Sequence, residues 1–583
     1  MKHGNNCIIA IVRRIFPLLL ICAILLSACS QGLSAENDST NSVYDKFLTI
    51  DVYDSDANYE GIQSGWYASI IKEKFNMELN IISPSISGNS DNIFESRFAA
   101  GNVGDLIICT TKGNNLQRLV DAGLVMDIEP YLQSSELFER YSEQIEALNR
   151  QVLSTGIYAI PSMISTIAPD MPSEAMATNY GTYLRWDYYA ELGYPTINTL
   201  EDLLPILRQM QENHPHSESG ADTYAFSLFT DWDNNMMTTA KQPCCFYGYD
   251  EYGFVLSKAD GSDFQNILDE DSLYMRVLRF YNKAYQMGLV DPDSANQTFS
   301  ELSDKFADGQ ILFSPWPWLA QPEYNTEENL SEGTGYMFVP IEDELIYSYG
   351  CKTSGSYDSI ITVGSGAQDP VRLVNFIDWL YSTEGIMASC ADSPQGTAGI
   401  EGLTWQMTDD GPELTEFGIQ AFYSTDVKMP EEYGGGIWAD GICRLNFKPV
   451  SSVERSPEGF TYYFSSWDSV VSMNQSDLEK DWSEHMNASS VMDYLTKNDQ
   501  LIVSPGIAYT PTEETTELAA IRIQCASAIT SYSWKMVFAA DNKEFQSLYD
   551  ELLTRTAALG YSQILEYDML NAKGEAEVKK QLN

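Results

Sequence analysis

The sequence predicts an α/β protein in two lobes, and three observations carry that reading. β-rich runs alternate with stretches of helical apolar spacing, and alternation of this kind folds into a largely parallel sheet covered by helices. The chain has 583 residues, 44% of them hydrophobic and 20% charged, which is the composition of a globular protein with ample core. At about 150 residues per domain it is too long for a single core.

In order, 47–53 is a short β-rich run, and 61–75 carries Trp66, Ile70, Ile71 and Phe75 at helical spacing. The run 78–83 alternates and stops at Pro84, a helix is expected over about 92–100, and 104–110 is a continuous apolar strand of the two-face-buried kind. Leu116, Leu119, Val120 and Leu124 then repeat at i, i+3, i+4, i+8. Ligands of parallel sheets bind beyond the strand C-termini, so Thr110 and Thr111 are candidate site residues. Thr199 and Asp202 form a capping box opening a helix in which Pro205 is an awkward fit. Leu273, Val277, Tyr281 and Ala284 mark a helix ended by Gly288 and Pro292. Asp369 and Pro370 start another, with Leu373, Ile377 and Leu380 on one face. Phe545, Leu548, Leu552 and Leu559 line a late helix closed by Gly560, whereas 412–479, rich in Gly, Tyr, Trp and Ser, reads as loops with short strands.

The formal charge of −49 repels phosphate backbones and argues against nucleic acid as a partner. Lys2, Arg13 and Arg14 precede an apolar run at 15–26 that is too short to cross a bilayer but has the pattern of a secretory signal. The run ends in LSAC at 26–29, which resembles the lipobox of exported bacterial lipoproteins; that resemblance implies cleavage after residue 28 and diacylglyceryl transfer to Cys29. Two acyl chains hold a protein on a membrane, and the polar stretch 29–43 reads as a flexible tether. The later cysteines, 109, 244, 245, 351, 390, 443 and 525, show no C-x-x-C spacing and are expected as buried free thiols.

Several stretches, in order, resemble the extracellular solute-binding proteins of ABC importers, in particular the large lipoprotein-type sugar binders. They are FAAGNVGDLI at 98–107, AGLVMDI at 122–128, GIYAIP at 156–161, LRWDYYAELG at 184–193, FADGQILFSPWPW at 306–318, FIDWLYSTEG at 376–385 and GIEGLTW at 399–405. The chain departs from the pattern at Ser314, where a Gly often precedes Pro-Trp, and at Pro195, which lies later than the usual turn. The resemblance implies a periplasmic-binding-protein-like fold: two α/β lobes, hinge strands and a central ligand cleft, docking on a membrane permease. The expected division is 44–160 plus about 350–410 in one lobe, and about 161–349 plus about 411–583 in the other.

A sugar site needs aromatic walls and a polar rim. Trp316 occupies the stacking position of the family's P-W-x-W run, Trp318 follows on the same or the opposite side, and Arg185 stands at the family's conserved-motif arginine, either on a ligand or in a salt bridge with Asp187. The loop Asp231, Trp232, Asp233, Asn234 sets an aromatic among polar side chains, and Trp438 follows three glycines that suit a lid. No catalytic residue, metal ligand or cofactor is expected. Ser69 with Lys72 and Ser90-Asp91-Asn92 imitate acyl-serine motifs but lie too close together, Lys352-Thr353-Ser354 lacks the Gly of the third, and His214, His216 and His485 lack a zinc pattern. The expectation is a monomeric, lipid-anchored carbohydrate receptor feeding an ABC permease. The alternatives are a secreted glycosidase, which would need two carboxylates about 5–10 Å apart, and a sugar-binding adhesin or sensor.

Overall fold

The computed structural model describes residues 43–581 apart from 85, 87–89, 508 and 510. The expected signal segment 1–28, Cys29 and all but the last residue of the expected tether lie outside the described residues.

The first lobe is built on a six-stranded sheet in the order Gly61–Ile62, Met77–Ile82, Leu48–Asp54, Leu106–Cys109, Ser356–Val363, Ile160–Ser162. Leu48–Asp54 pairs in parallel with Met77–Ile82 and Leu106–Cys109, while Ser356–Val363 inserts antiparallel between Leu106–Cys109 and Ile160–Ser162. Leu106–Cys109 shows why an unbroken apolar run suits a central strand. Leu106 and Ile108 enter the core on one face, and Ile107 and Cys109 enter the core on the other. The helix Gly65–Phe75 buries Trp66, Tyr67, Ile71 and Phe75 and ends at Asn76 in the left-handed conformation.

The stretch 411–470, expected with the second lobe, packs instead in the first. Leu414, Phe422, Met429, Trp438, Leu445, Phe447, Tyr462, Phe464 and Val470 all join the core that holds Trp66 and Ile50. Its aromatics drive this: Trp438 stacks on Trp66 at 4.6 Å and 10°, and its carbonyl accepts the Trp66 indole N–H at 3.1 Å. Only after residue 470 does the chain return to the other core, at Leu478, Trp482 and Val491.

The second lobe holds an antiparallel sheet of Phe313–Ser314, Tyr183–Arg185 and Tyr336–Phe338, a parallel pair Ile346–Tyr349 with Leu501–Ser504, and the meander Tyr249–Tyr252, Val255–Lys258, Phe264–Asn266. The capping box at Thr199 forms, but it opens a 3₁₀ turn that leads into the helix Leu203–Asn213. Pro205 then falls in the first helical turn, where its missing N–H costs nothing. The helix Leu273–Gln286 buries Val277, Tyr281 and Ala284, and Tyr274 meets Ser533 of the C-terminal helix Thr516–Val537 at 2.8 Å. All seven cysteines among the described residues are buried free thiols. No helix among the described residues is long and apolar enough to cross a membrane.

At the C-terminal end of Leu48–Asp54, the Asp54 carboxylate is fully buried and accepts the N–H groups of Asp56, Ala57 and Asn446. Burial outweighs those bonds and pushes its carboxyl up to about 6. The folded state therefore holds this proton more tightly than the unfolded chain does. The stabilisation is complete below about pH 4 and is lost as pH rises through about 6. Relative to Asp54→Asn, the wild-type chain is expected to lose about 2 kcal/mol of stability between pH 4 and pH 7, measurable by urea melts of both proteins across that window.

Candidate functional site

The chain passes between the two cores at 165–180, at 347–356 and near 470–478. The first passage is tied to the first lobe by Glu454, which is completely buried. Its carboxylate accepts Ser165 Oγ at 2.9 Å, Thr166 N at 2.6 Å and Thr166 Oγ1 at 2.8 Å, and it pairs with Arg140 at 2.6 Å. The second passage packs against the first: Ser173 N donates to Tyr349 O at 2.7 Å and Cys351 N to Met171 O at 2.9 Å. Gly350 sits where three segments converge. A Cβ there would lie 2.1 Å from Pro169 O and 2.8 Å from Ser504 O, so no side chain fits without separating the strands. Gly350→Ala is expected to destabilise the protein by about 1–3 kcal/mol, read as a lower midpoint in denaturant.

A cleft of about 520 Å³ opens beside this crossing, with Met163, Tyr349, Lys352, Tyr357, Asp358 and Ser451 in its wall. Thr110 and Thr111 follow the strand Leu106–Cys109 and stand next to that wall: Thr111 N donates to Tyr357 O at 2.9 Å, and Lys112 pairs with Asp358 at 2.9 Å.

On the second lobe the structure gathers three of the tryptophans singled out from the sequence. Trp232 lies 6.0 Å from Trp318 and 6.1 Å from Trp316, Trp316 lies 4.9 Å from Trp318, and Phe299 stacks on Trp232 at 4.4 Å. Trp232 and Trp318 are each 42% exposed, but Trp316 is only 3% exposed. Flanked by Pro315 and Pro317, Trp316 caps the helix Pro317–Tyr324 and turns inward, and its indole N–H donates to Gln242 Oε1 at 3.3 Å. The stacking position thus forms the base of the patch, and the exposed rings are those of Trp232 and Trp318.

The loop beside them is held by its own carboxylates. Asp231 accepts Phe299 N at 2.9 Å, and Asp233 accepts Thr238 N at 2.8 Å and the Trp534 indole at 2.6 Å. Burial pushes the Asp233 carboxyl up despite those donors. Asn234 is exposed. Two expected ligand residues are occupied elsewhere. Arg185 is buried in a two-point pair with Asp187 at 3.0 and 2.6 Å, between the rings of Tyr188 and Tyr324. Trp438 is sealed in the first core rather than on a lid, because its ring is consumed by Trp66.

A polar chain joins the aromatic patch to the cleft, and sequence reasoning missed it. Next to Gln242, Lys241 pairs with Asp250, whose other oxygen accepts Tyr349 OH at 2.8 Å; Tyr349 and Tyr180 share a further hydroxyl bond at 2.8 Å. Burial alone would pull the Lys241 ammonium down, but Cys245, Asp250 and Glu251 outweigh it and hold its pKa above the ordinary value. Glu251 is pushed up by burial and is hydrogen-bonded by Asn235. Glu174, also raised by burial, takes Ser348 Oγ and Tyr349 N. The available signal was Lys241 itself, a cation entering the otherwise apolar run PCCF at 243–246, which demands a buried partner.

Among the described residues no group of three or more His, Cys, Asp or Glu is placed to hold a metal. His214 stacks on Tyr188 at 3.6 Å and bonds Glu191, and His485 stacks on Tyr194 at 3.9 Å. Ser69 donates to Gly65 O of its own helix; the side chains of Ser90, Asp91 and Asn92 lie outside the described residues.

No protein-family model matches the chain, and no curated protein matches it in sequence. Solved structures do match its fold. An HMO-binding ABC-transporter-associated solute-binding protein from Bifidobacterium longum infantis superposes with a TM-score of 0.56 at 14% identity, over 92% of this chain and 99% of that one. An extracellular solute-binding protein from Bifidobacterium longum subsp. infantis gives 0.54 at 13%, over 92% and 99%. The S. pneumoniae ABC-transporter substrate-binding protein FusA, in complex with kestose, gives 0.53 at 14%, over 92% and 100%. Two lobes, chain segments crossing between them and a cleft at the crossing: the chain has the two-lobe fold of the extracellular solute-binding proteins of ABC transporters.

Proposed function

We propose that the chain is a lipid-anchored, extracytoplasmic receptor for a carbohydrate, most suited to an oligosaccharide, which closes on its ligand about the crossing segments and delivers it unchanged to an ABC permease. The observation that carries the reading is the pair of partly exposed indoles, Trp232 and Trp318, set beside a polar loop, with the chain Lys241, Asp250 and Tyr349 reaching the hinge cleft. Indole faces take the C–H faces of a pyranose, and carboxylates and amides take its hydroxyls. The names of the structural neighbours, one bound to kestose and one HMO-binding, support the same class of ligand. Anchoring rests on the LSAC run and Cys29. Closure follows only from contacts that the ligand makes better in the closed state.

Calorimetry over a panel of oligosaccharides, with product analysis of the same samples, tests this. At least one member is expected to bind in the micromolar range, about −8 kcal/mol, and to be recovered intact. Release of new reducing ends would replace the receptor with a glycosidase.

A further inference from the structure

We infer that Glu344 is built into the second lobe as the neutral acid and forms a pH-sensitive latch at the root of the second passage between the lobes, which its deprotonation loosens. The inference concerns the lobe itself and does not depend on which solute the cleft takes.

Glu344 is only 4% exposed, and neither of its carboxyl oxygens has a hydrogen-bond partner among the described residues. The contrast is with Asp54 and Glu454, which are as deeply buried but gather several donors each. The ionisable groups around Glu344 bring no positive charge. Tyr183 of the strand Tyr183–Arg185 is wholly buried, and its hydroxyl is likewise unpartnered. Tyr494 of the helix Val491–Lys497 is half-buried, and the neighbours in the loop itself, Glu342 and Asp343, are both acids. The cation that reaches this loop, Arg276, lies 4.0 Å from Asp343 and is engaged by Glu201 in two bonds at 2.9 and 2.7 Å. An ionised Glu344 would carry the full penalty of an unpaired buried charge, and burial accordingly holds its carboxyl well above the usual carboxylate range.

The place of Glu344 in the chain gives this proton leverage. Leu345, the next residue, donates its N–H to Phe246 O at 2.8 Å, and Ile346 donates to Gln500 O at 2.8 Å. Those bonds fasten the start of the strand Ile346–Tyr349, which pairs with Leu501–Ser504 and brings Tyr349 into the cleft wall just before Gly350. A charge formed at Glu344 is relieved by admitting water or by moving the loop outward, and either weakens the two bonds beside it. The folded state holds the proton more tightly than the unfolded chain does. The stabilisation is therefore complete below about pH 4 and is lost as pH rises toward the folded-state value.

The test compares the full chain with Glu344→Gln, the isostere of the neutral acid, and with Glu344→Met, which keeps the volume without the polarity. Urea melts over about pH 4–8 give the folding equilibrium constant of each. Relative to either variant, the wild type is expected to lose at least about tenfold in that constant between about pH 5 and pH 7, while the two variants run parallel to each other. Taking the difference removes the contribution of Asp54, which all three proteins share. Native-state hydrogen exchange, corrected for the intrinsic pH dependence of the exchange reaction, reads the latch directly. The amides of Leu345 and Ile346 should lose protection with pH in the wild type more than those of the helix Leu273–Gln286, and in neither variant. A wild-type profile parallel to the variants overturns the inference, and so does a loss of protection spread evenly over the lobe. If one variant fails to fold, the other carries the comparison.

Discussion

Replacing Glu454 with alanine is expected to destabilise the protein by about 2–4 kcal/mol, the cost of leaving several donors of a buried carboxylate unpaired. Glu454 is wholly inside, and five donor groups depend on it: the Arg140 guanidinium, Tyr141 OH, Ser165 Oγ, Thr166 N and Thr166 Oγ1. Alanine would leave that guanidinium, three hydroxyls and one backbone N–H to find new partners. The loss falls where the chain leaves the first lobe, so it should also loosen the hinge. Denaturant melts measure the first effect, and small-angle scattering of the ligand-free protein measures the second as a broader distribution of lobe separations. Glu454→Gln, which keeps the shape and one acceptor oxygen, should recover part of the stability. An alanine variant as stable as the wild type would show that the crossing is held by something else.

Trp232→Ala and Trp318→Ala are each expected to weaken oligosaccharide binding by about thirtyfold, the factor for losing about 2 kcal/mol from an aromatic anchor, while leaving the fold nearly as stable as before. Both rings are 42% exposed, so their removal opens no sealed cavity. Trp316→Ala should behave differently. Its ring is buried at the base of the patch beside Phe229, and its loss should cost about 3–5 kcal/mol of stability. Calorimetry alongside thermal melts separates the two patterns. Unchanged affinity in both Trp232 and Trp318 variants would remove the patch from the site.

Local chemistry made part of this molecule legible in advance. The apolar run at 106–109, the helical spacing of Leu273, Val277, Tyr281 and Ala284, and the capping box at Thr199 each depend on neighbours a few residues away, so period and propensity were enough to place them. The candidate aromatic cluster was partly readable for a similar reason, since Trp316 and Trp318 share one short run. What the sequence by itself determined was an α/β chain with a two-lobe resemblance and a set of tryptophans worth testing.

Long-range packing decided the rest. Whether 411–470 belongs to one core or the other hung on the stacking of Trp438 against Trp66, a contact 372 residues apart. The strand Ser356–Val363 found its place only by insertion between strands that lie far earlier in the chain. Lys241, Asp250, Tyr349 and Tyr180 form one polar chain only because the second crossing brings Tyr349 back onto the lobe that holds the other three. Which of the indoles meets water was settled the same way. Burial is a property of the whole packed chain, and no window of neighbouring residues contains it.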